Sequence, residues 1–389
     1  MLYAAFGLLA TAAATANAAS WTLSDTFVAN DFMDTSKWNY STGSDPTQGL
    51  VVYQSAESAK SLNLTRVSND LFYMGVSTVD PQLEGRPSVR INSQNSYSDG
   101  VYVLNATHMP SGCSTWPAWW TVTADIDNWP AGGEIDIMEN ANDQYTSNLV
   151  SLHTEKTCVV PKSSSATGVL AYPDCGNADY GCRYELNGTS GATAANTGPA
   201  FNKAGGGIYA MERALGSTGN GIRIWFWPQG SEPSDLKSGS QSVNPSNWGN
   251  PAAEFGIASE CASQFGPHQV TFDVTLGGNW AATTYNQTDC ANTYGPITSQ
   301  VAYNGSSYEE AYWAVDSVRV FAQGGSTDNA ANSQASQTVQ ASAVAASNSN
   351  SKSSTSSNTS GAVGQLAQSA TALVAVALLA IVGGWTVLM

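Results

Sequence analysis

The stretch Trp129-Pro130-Ala131-Gly132-Gly133-Glu134-Ile135-Asp136-Ile137-Met138-Glu139-Asn140 alternates acidic residues with large apolar ones. Such alternation predicts a β-strand with one acidic face and one apolar face. Glu134 and Asp136 are two positions apart and share a face, whereas Glu139 would point the other way in a regular strand. One extra residue, a β-bulge at Ile137-Met138, restores the parity. The stretch therefore predicts a bulged strand that presents three carboxylates on one side.

The spacing of these acids indicates a chemistry. With the bulge, Glu134 and Glu139 are equivalent to four strand steps apart, about 13 Å between Cα atoms at ~3.3 Å per residue. Side chains that reach toward each other bring the carboxyls to about 5 Å, the separation found in retaining glycosidases. One carboxylate then attacks the anomeric carbon, and the other protonates the leaving oxygen and later deprotonates water. Asp136 lies between them, where it can hydrogen-bond the nucleophile and, by like-charge repulsion, keep a proton on the acid.

A solvated acidic face or a calcium site is the competing interpretation of the same acids. Calcium loops draw their ligands from irregular segments rich in Asp and Asn, whereas these acids alternate with Ile135, Ile137 and Met138. The pattern favours catalysis, and we expect neither a metal nor a cofactor at the site.

Short segments rich in Val, Ile, Thr, Tyr and Trp recur between clusters of Gly, Asn, Ser and Pro, which is typical of an all-β domain. Helical periodicity is confined to a possible turn at 252–258, so two packed antiparallel sheets are expected. The strand at 222–227 has large apolar residues on both faces, which suggests a core on one side and a ligand groove on the other. The predicted strands are Ser88–Ile91, Val101–Val103, Ile135–Met138, Val150–His153, Ile222–Trp227, Gln269–Val274 and Tyr312–Phe321.

The composition of the chain indicates which classes of partner it can bind and in which compartment it resides. A net charge of −16 with 14 Lys and Arg among 389 residues argues against nucleic acid and anionic lipid, and leaves neutral polymers open. The even number of cysteines indicates disulfides in a secreted chain; their spacings do not match a zinc site, and their pairing cannot be chosen from sequence. The cysteines are Cys113, Cys158, Cys175, Cys182, Cys261 and Cys290.

The two ends of the chain carry targeting patterns. Residues 1–19 are a short apolar run with a small-x-small end, which predicts a cleaved signal peptide. The folded domain is expected at 20–323, followed by a Ser/Asn/Ala-rich disordered stalk at 324–360. Residues 361–389 match a GPI-attachment signal that is removed, which is favoured over a single-pass anchor because no basic residue follows the apolar tail. Glycosylation sequons occur at Asn39, Asn63, Asn105, Asn187, Asn286, Asn304 and Asn358.

We therefore expect an extracellular glycoprotein held at the cell surface, on the plasma membrane through a lipid anchor or in the cell wall. Membrane contact is expected only through that anchor, and the protein is expected to be a monomer.

At the carboxylate stretch the chain resembles glycoside hydrolase family 16, in its bulge-containing, laminarinase-like branch, whose signature is Glu-x-Asp-x-x-Glu. Further segments carry the same resemblance along most of the predicted domain. They are Arg86–Ile91, His108–Pro110, Thr115–Trp120, Trp129–Pro130, Gly133–Glu139, Leu152–Thr154, Gly278–Ala281 and Tyr312–Val320.

The resemblance implies a concanavalin-like β-jelly-roll sandwich with a concave substrate groove. It also implies endo-acting hydrolysis of β-1,3 or mixed β-1,3/1,4 glucans with retention. In this sequence Glu134 would be the nucleophile, Asp136 its assistant and Glu139 the acid/base.

The resemblance further implies residues that bind the β-glucan. His153 would lie across from the acids and contact a sugar hydroxyl or tune Glu139, a satisfied core histidine being the alternative. Trp120, Trp129 and Trp280 would stack on sugar rings, with core packing as the alternative for each.

One departure from the family pattern follows the signature, since 140–143 reads Asn-Ala-Asn-Asp where many laminarinase-like members have a Gly-containing segment. The linkage preference is therefore left open. A cell-wall transglycosylase that uses the same covalent intermediate is the alternative function, although the family's wall-remodelling transferases more usually have the unbulged Glu-x-Asp-x-Glu. A non-catalytic glucan-binding protein is disfavoured because both glutamates are present.

Overall fold

The computed structural model describes residues 20–187, 195–215 and 219–323. Strands predominate, as the alternation of apolar and polar positions predicts. In chain order they are β1 (Trp21–Val28), β2 (Trp38–Tyr40), β3 (Gly43–Ser44), β4 (Val51–Tyr53), β5 (Thr65–Ser68), β6 (Leu71–Gly75), β7 (Arg86–Ser88), β8 (Arg90–Ser93), β9 (Gly100–His108), β10 (Thr115–Thr123), β11 (Glu134–Glu139), β12 (Leu149–His153), β13 (Val169–Tyr172), β14 (Cys182–Glu185), β15 (Gly207–Ala214), β16 (Gly221–Pro228), β17 (Ser242–Val243), β18 (Ala253–Phe255), β19 (His268–Leu276) and β20 (Tyr312–Ala322). The predicted signal peptide, stalk, anchor signal and the Asn358 sequon lie outside the described residues.

Short helices join some of these strands. The α-helices are α1 (Ala56–Ser61), α2 (Gly198–Lys203), α3 (Ser259–Ala262), α4 (Gly278–Thr284), α5 (Cys290–Tyr294) and α6 (Ile297–Tyr303). The 3-10 turns are Ala29–Met33, Ile126–Asn128, Ser234–Leu236, Pro245–Asn247, Tyr285–Gln287 and Gly305–Tyr308. None of the helices within the described residues has the length and apolarity that crossing a bilayer requires.

Two antiparallel sheets account for most of the described strands. The front sheet has eight strands in the order β13-β14-β12-β11-β10-β19-β8-β2. The back sheet has nine, in the order β17-β1-β20-β9-β15-β16-β18, with β6 pairing β20 and β5 pairing β6. A small third sheet joins β3, β4 and β7.

The two large sheets pack through their apolar inner faces. Trp119, Ile135 and Phe272 of the front sheet and Leu104 and Val318 of the back sheet are fully buried in one continuous core. Each such side chain contributes about 1.5–3 kcal/mol by leaving water. The prediction of two packed antiparallel sheets is confirmed.

Strand β11 contains the predicted bulge. Asp136 and Glu139 lie opposite Trp120 and Ala118 of β10, so three steps on β11 face two steps on β10. The pairing with β12 shifts between the same two acids. The bulge is confirmed, and it keeps the apolar residues of β11 in the core while the acids face outward.

Two sequence-based predictions for the back sheet are wrong. The outer face of Ile222–Trp227 is not a ligand groove, because Trp225 packs edge-on against Trp248 at 5.2 Å within a second, smaller apolar cluster. The possible turn at 252–258 is instead the edge strand β18, where Phe255 pairs with Ile222. Pairing with a strand distant in sequence outweighs local propensity there.

The predicted strand Ser88–Ile91 is divided at Val89 into the end of β7 and the start of β8, which pair in different sheets. All six cysteines form disulfides, as expected. The pairs are Cys113–Cys290, Cys158–Cys261 and Cys175–Cys182.

Candidate active site

The three acids of β11 lie on the outer face of the front sheet, here called the acidic face. Residues directly opposite each other on antiparallel strands point to the same side of a sheet. Each acid therefore belongs to a cross-strand row on this face. The rows run Val122–Glu134–His153, Trp120–Asp136–Ser151 and Ala118–Glu139–Leu149.

Glu134 accepts a hydrogen bond from the indole nitrogen Nε1 of Trp129 at 2.9 Å. Burial raises the pKa of Glu134 to about 8, and the neighbouring Asp136 and Glu139 add to this by like-charge repulsion. His153 and the Trp129 hydrogen bond act in the opposite direction by stabilising the ionised carboxylate. Trp129 is 44% exposed, so its ring is open to solvent beside Glu134.

Glu139 accepts a hydrogen bond from a different tryptophan, since Nε1 of Trp116 lies 2.6 Å from its Oε1. Burial raises the pKa of Glu139, while Arg183, the Trp116 hydrogen bond and His153 act to lower it. Glu139 is therefore a buried carboxyl that retains a proton more readily than an exposed glutamate.

Asp136 lies between the glutamates and close to His153. Its Oδ2 is 3.4 Å from Nε2 of His153, so the acid nearest to His153 is Asp136 rather than Glu139. Burial and the charge of Glu139 raise the pKa of Asp136 well above its usual value, against the opposing charge of Arg183.

Glu134, Asp136 and His153 also form the one group among the described residues whose ligand atoms could hold a metal ion. Those atoms lie within 4.8 Å of one another. A cation bound there would occupy one of the two glutamates that the proposed chemistry requires to be free.

A buried asparagine satisfies the backbone of the bulge. Asn148, fully buried just before β12, donates from Nδ2 to the carbonyl of Ile137 at 2.8 Å. Its Oδ1 accepts the backbone N–H of Glu139 at 2.9 Å. The side chain thus takes the place of the ladder hydrogen bonds that the bulge interrupts, and it anchors the backbone of Glu139.

Trp120 lies on the floor of the acidic face. Its indole nitrogen donates to Oδ2 of Asp273 at 3.0 Å, and the Arg90 guanidinium lies over the ring at 4.8 Å. Trp120 is 8% exposed. Burial raises the pKa of Asp273 to about 7, partly offset by Arg90. The Arg90 guanidinium covers one face of the Trp120 ring, which leaves the other face for a sugar. Contact of Trp120 with sugar stays a prediction.

Trp280 reaches the acidic face from α4. Its ring contacts Trp116 edge-on at 5.6 Å and lies 5.4 Å from the Arg183 guanidinium. The unusual segment 140–143 holds this helix in place, because Nδ2 of Asn142 donates to the carbonyl of Ala281 at 2.8 Å. The departure from the family pattern therefore links the strand that carries Glu139 to the helix that carries Trp280.

Several residues of the site were not identified from sequence. Trp116 lay within a segment that carries the family resemblance, but its hydrogen bond to Glu139 depends on strand register. Arg90 lay within another such segment, Arg86–Ile91, but its place beside Trp120 also depends on strand register. Arg183 and Asp273 come from two other strands, and no local pattern marks them. Asn148 also has no local signal; a bulge requires some partner for its free backbone groups, and only the fold supplies it.

Comparison with known proteins agrees with this geometry. The profile described as an XgeA-like catalytic GH16 domain matches residues 38–321. A protein of Aspergillus fumigatus named "Probable endo-1,3(4)-beta-glucanase" is 38% identical over 77% of this chain and 45% of its own length. An endo-1,3(4)-beta-glucanase of Arthroderma benhamiae is 34% identical over 82% of this chain and 68% of its own. The chain spans a little under half the length of the first of these relatives.

Solved structures share the fold. Laminarinase 16A of Phanerochaete chrysosporium, determined with β-glucans in donor and acceptor sites, has a TM-score of 0.67 and 35% identity over 78% of this chain and 100% of its own. A β-1,3-glucosyltransferase described as an elongating GH family 16 enzyme has a TM-score of 0.69 and 31% identity over 77% and 99%. The predicted jelly-roll sandwich is confirmed, and the chain belongs to glycoside hydrolase family 16.

Proposed function

We propose that this protein is an endo-acting, retaining hydrolase of β-1,3 and mixed β-1,3/1,4 glucans. The observation that carries the proposal is the bulged strand β11, which places Glu134, Asp136 and Glu139 on one outward face with a separate indole donor for each glutamate. The printed names of the curated relatives and the glucan complex of the laminarinase support the substrate class.

The reaction proceeds in two steps. In the first, a Glu134 oxygen bonds to the anomeric carbon while the bond from that carbon to the leaving oxygen breaks, and Glu139 gives its proton to the leaving oxygen. In the second, Glu139 takes a proton from water, the water oxygen bonds to the anomeric carbon, and the Glu134 carboxylate departs. Two inversions produce net retention.

The raised pKa of Glu139 fits its role as the acid, whereas Glu134, whose pKa is raised to about 8, must lose its proton before it attacks. Burial raises the pKa of all three acids, and like-charge repulsion adds to this at Glu134 and Asp136, so the site retains protons to higher pH than exposed acids do. The proposed acid, Glu139, can keep one of them. Glu134 must be ionised to attack, and the hydrogen bond from Trp129 favours that state. Asp136 is proposed as the assistant of the nucleophile Glu134. Its negative charge also helps to keep a proton on Glu139 by like-charge repulsion.

We further propose that Trp129, Trp280 and Trp120 contact sugar rings and that His153 contacts a sugar hydroxyl. The exposed ring of Trp129 beside Glu134 and the position of Trp280 beside Trp116 support this assignment. The mechanism uses no metal or other cofactor, so we expect dialysis against EDTA to leave kcat unchanged.

Transfer to a sugar acceptor is the second candidate function. It uses the same covalent intermediate and differs only in whether water or a sugar hydroxyl intercepts it. The similarity to an elongating β-1,3-glucosyltransferase supports this candidate.

Product analysis of the full-length protein on laminarin, barley-type mixed-linkage glucan and cellulose tests both functions. Short oligosaccharides from the first two and none from cellulose are expected. Products longer than the starting glucan chains would establish a transglycosylase instead. Glu134→Gln and Glu139→Gln should each abolish product, whereas the exposed control Glu309→Gln should not; undiminished activity in either active-site variant would remove that residue from the mechanism.

We also propose that the protein is a secreted, glycosylated monomer attached to the outer cell surface by a GPI anchor. The three disulfides fit an oxidising compartment. The sequon residues Asn39, Asn63 and Asn286 are exposed, as glycosylation requires.

A further inference from the structure

The cross-strand row through Asp136 extends to the edge of the front sheet. Ser151, opposite Asp136, pairs in turn with Arg183 of β14. Arg183 pairs with Tyr172 of β13, the last strand on that side. Tyr172 therefore lies on the acidic face, three strand spacings or about 14 Å from Asp136.

Tyr172 is one of two stacked, solvent-exposed tyrosines. Its ring lies 4.7 Å from that of Tyr180, with 12° between the ring planes. Tyr172 is 40% exposed and Tyr180 42% exposed. Tyrosine combines a flat apolar face with a polar hydroxyl, a combination suited to the apolar faces and hydroxyl edges of sugar rings.

The loop that carries Tyr180 is held in place from several sides. The Cys175–Cys182 disulfide closes it, and Oδ1 of Asn177 accepts the backbone N–H of Tyr180 at 2.9 Å. Gly181 has a φ of +57° and packs so closely on β12 that a Cβ there would collide with the Leu152 carbonyl oxygen. A ring presented by such a loop is ordered before any ligand binds, which lowers the entropic cost of binding.

Arg183 connects the tyrosines to the catalytic region. Its guanidinium lies 5.5 Å from the Tyr180 ring and 5.4 Å from the Trp280 ring. Nε donates to Oγ of Ser151 at 3.1 Å, and within the described residues the two terminal nitrogens have no hydrogen-bond partner. The acidic face thus continues without a break from Trp280 across Arg183 to the tyrosine pair.

We propose that Tyr172 and Tyr180, with Arg183 beside them, form an outer subsite that binds a β-linked glucosyl residue of a long glucan chain. The subsite lies beyond the sugars on either side of the cleaved bond, so only longer chains reach it. It selects for chain length rather than taking part in bond cleavage. The proposal rests on the proposed function for the identity of its sugar.

Binding measurements in an uncleaving background test the subsite. The full-length Glu134→Gln protein is titrated calorimetrically with laminariheptaose and with laminaritriose, alone and combined with Tyr172→Ala or Tyr180→Ala. We expect each alanine variant to weaken laminariheptaose binding by roughly tenfold, as truncation of an aromatic contact does, and to leave laminaritriose binding unchanged. Tyr172→Phe should retain the affinity because the ring is kept.

Tyr73→Ala is the matched control. Tyr73 lies on the back sheet, also pairs with a second tyrosine, Tyr312, at 5.8 Å, and has the Arg66 guanidinium 4.4 Å from its ring. Tyr73→Ala should change the affinity for neither laminariheptaose nor laminaritriose. A loss of laminariheptaose affinity in Tyr73→Ala equal to that in the Tyr172 and Tyr180 variants would overturn the proposal.

Unchanged laminariheptaose affinity in both alanine variants, or equal losses for the two sugars, would also overturn the subsite. Failure of the proposed function has a different signature, namely a wild-type protein that cleaves no glucan. A length-dependent loss of binding would uphold the subsite even then, and a parent that binds no laminariheptaose at all would contradict both.

Discussion

Each proposed catalytic glutamate receives a hydrogen bond from a different tryptophan, and this makes the assignment of roles testable residue by residue. Trp129 donates to Glu134 and Trp116 donates to Glu139. An N–H that donates to a carboxylate stabilises the ionised form and lowers the pKa. Removing one donor should therefore move one limb of the pH–rate profile and leave the other in place.

Trp116→Phe should shift the alkaline limb of the kcat profile to higher pH. The acid/base must be protonated in the first step, and loss of the indole donor raises the pKa of Glu139 further. The profile of kcat against pH on a soluble laminarin substrate provides the measurement.

Trp129→Phe should instead shift the acidic limb to higher pH, because the nucleophile must be ionised and the pKa of Glu134 rises. A phenylalanine retains a ring for sugar contact, so the limb position and not the substrate affinity is the decisive observable. If the Trp116 variant moved the acidic limb and the Trp129 variant the alkaline one, the roles of the two glutamates would have to be exchanged.

Glu134→Gln should abolish activity and stabilise the fold at alkaline pH. The folded-state pKa of about 8 lies above the ordinary value of 4.5, so between these values the folded protein binds more protons than the unfolded chain. Stability from this group is therefore present below pH 4.5 and lost as pH rises through 8. The glutamine amide in the variant does not ionise, so the variant does not lose this stability as the pH rises. We expect a gain of about 1–2 kcal/mol at pH 8 and almost none at pH 4, measured by thermal unfolding.

The Glu309→Gln variant is the control for this comparison, because Glu309 is exposed. An equal gain at both pH values in Glu134→Gln would show that the effect is not linked to a carboxyl proton.

At the scale of single residues, sequence reasoning identified the side chains that share a local pattern. The acids of β11 could be placed on one face because strand alternation and a single bulge are read from consecutive residues. Trp116, Arg90 and Asp273 could not, because their proximity to the acids depends on which strands are neighbours and in what register. That information is set by packing across the whole sheet.

At the scale of elements, the bulge in β11 depends on a residue outside that strand. Asn148 both donates to Ile137 and accepts from Glu139, so one amide supplies the missing ladder bonds. Its own backbone N–H donates to Oδ1 of Asn196 at 2.9 Å, which positions the amide in turn. Asn148 is thus a positioning residue for Glu139.

Asn148→Ala should lower kcat by roughly 10- to 100-fold, since small displacements of a catalytic group are costly. It leaves the Ile137 carbonyl and the Glu139 N–H buried without this partner, which should destabilise the fold by about 1–3 kcal/mol. Steady-state kinetics and denaturant unfolding measure the two effects.

Asn244→Ala is the matched control, because Asn244 caps the 3-10 turn Pro245–Asn247 through Ser246 N at 3.1 Å. It should cost some stability and leave kcat unchanged. An Asn148→Ala protein with lowered stability and normal kcat would show that the Asn148 side chain supports the fold and does not position Glu139. A change in the alkaline limb of its pH profile would indicate that Glu139 itself has been displaced.

Strands with clear alternation, such as β11 and β19, were predictable, whereas the short helices were not. Helices α4, α5 and α6 have five to seven residues each, too few to establish a helical period. The composition of the edge strand β18 does not reveal it either, because a three-residue strand is defined by its pairing with β16 and not by its own residues.

At the scale of the molecule, the sandwich separates two tasks. The apolar faces of both sheets form the core, and the outer face of the front sheet is left free to carry charge. The Cys113–Cys290 disulfide joins the segment before β10 to α5, a sequence separation of 177 residues. Constraining so long a loop limits the unfolded chain and stabilises the fold by a few kcal/mol, about 2–4.

The proposed lipid anchor attaches the whole protein to the outer cell surface. In a eukaryotic host, the full-length protein should fractionate with membranes and be released by a phosphatidylinositol-specific phospholipase. A variant truncated after residue 369 should enter the medium without treatment. Membrane retention after phospholipase treatment would contradict the lipid anchor and favour a spanning segment.

The most direct test of the central claim is to trap the covalent intermediate. The wild-type protein is incubated with a 2-deoxy-2-fluoro laminaribiosyl donor that forms the glycosyl-enzyme faster than it hydrolyses, and the modified residue is located by peptide mass spectrometry. The account predicts inactivation with a single glycosyl adduct on Glu134. An adduct on Glu139, or turnover of ordinary laminarin with inversion and no adduct, would contradict it.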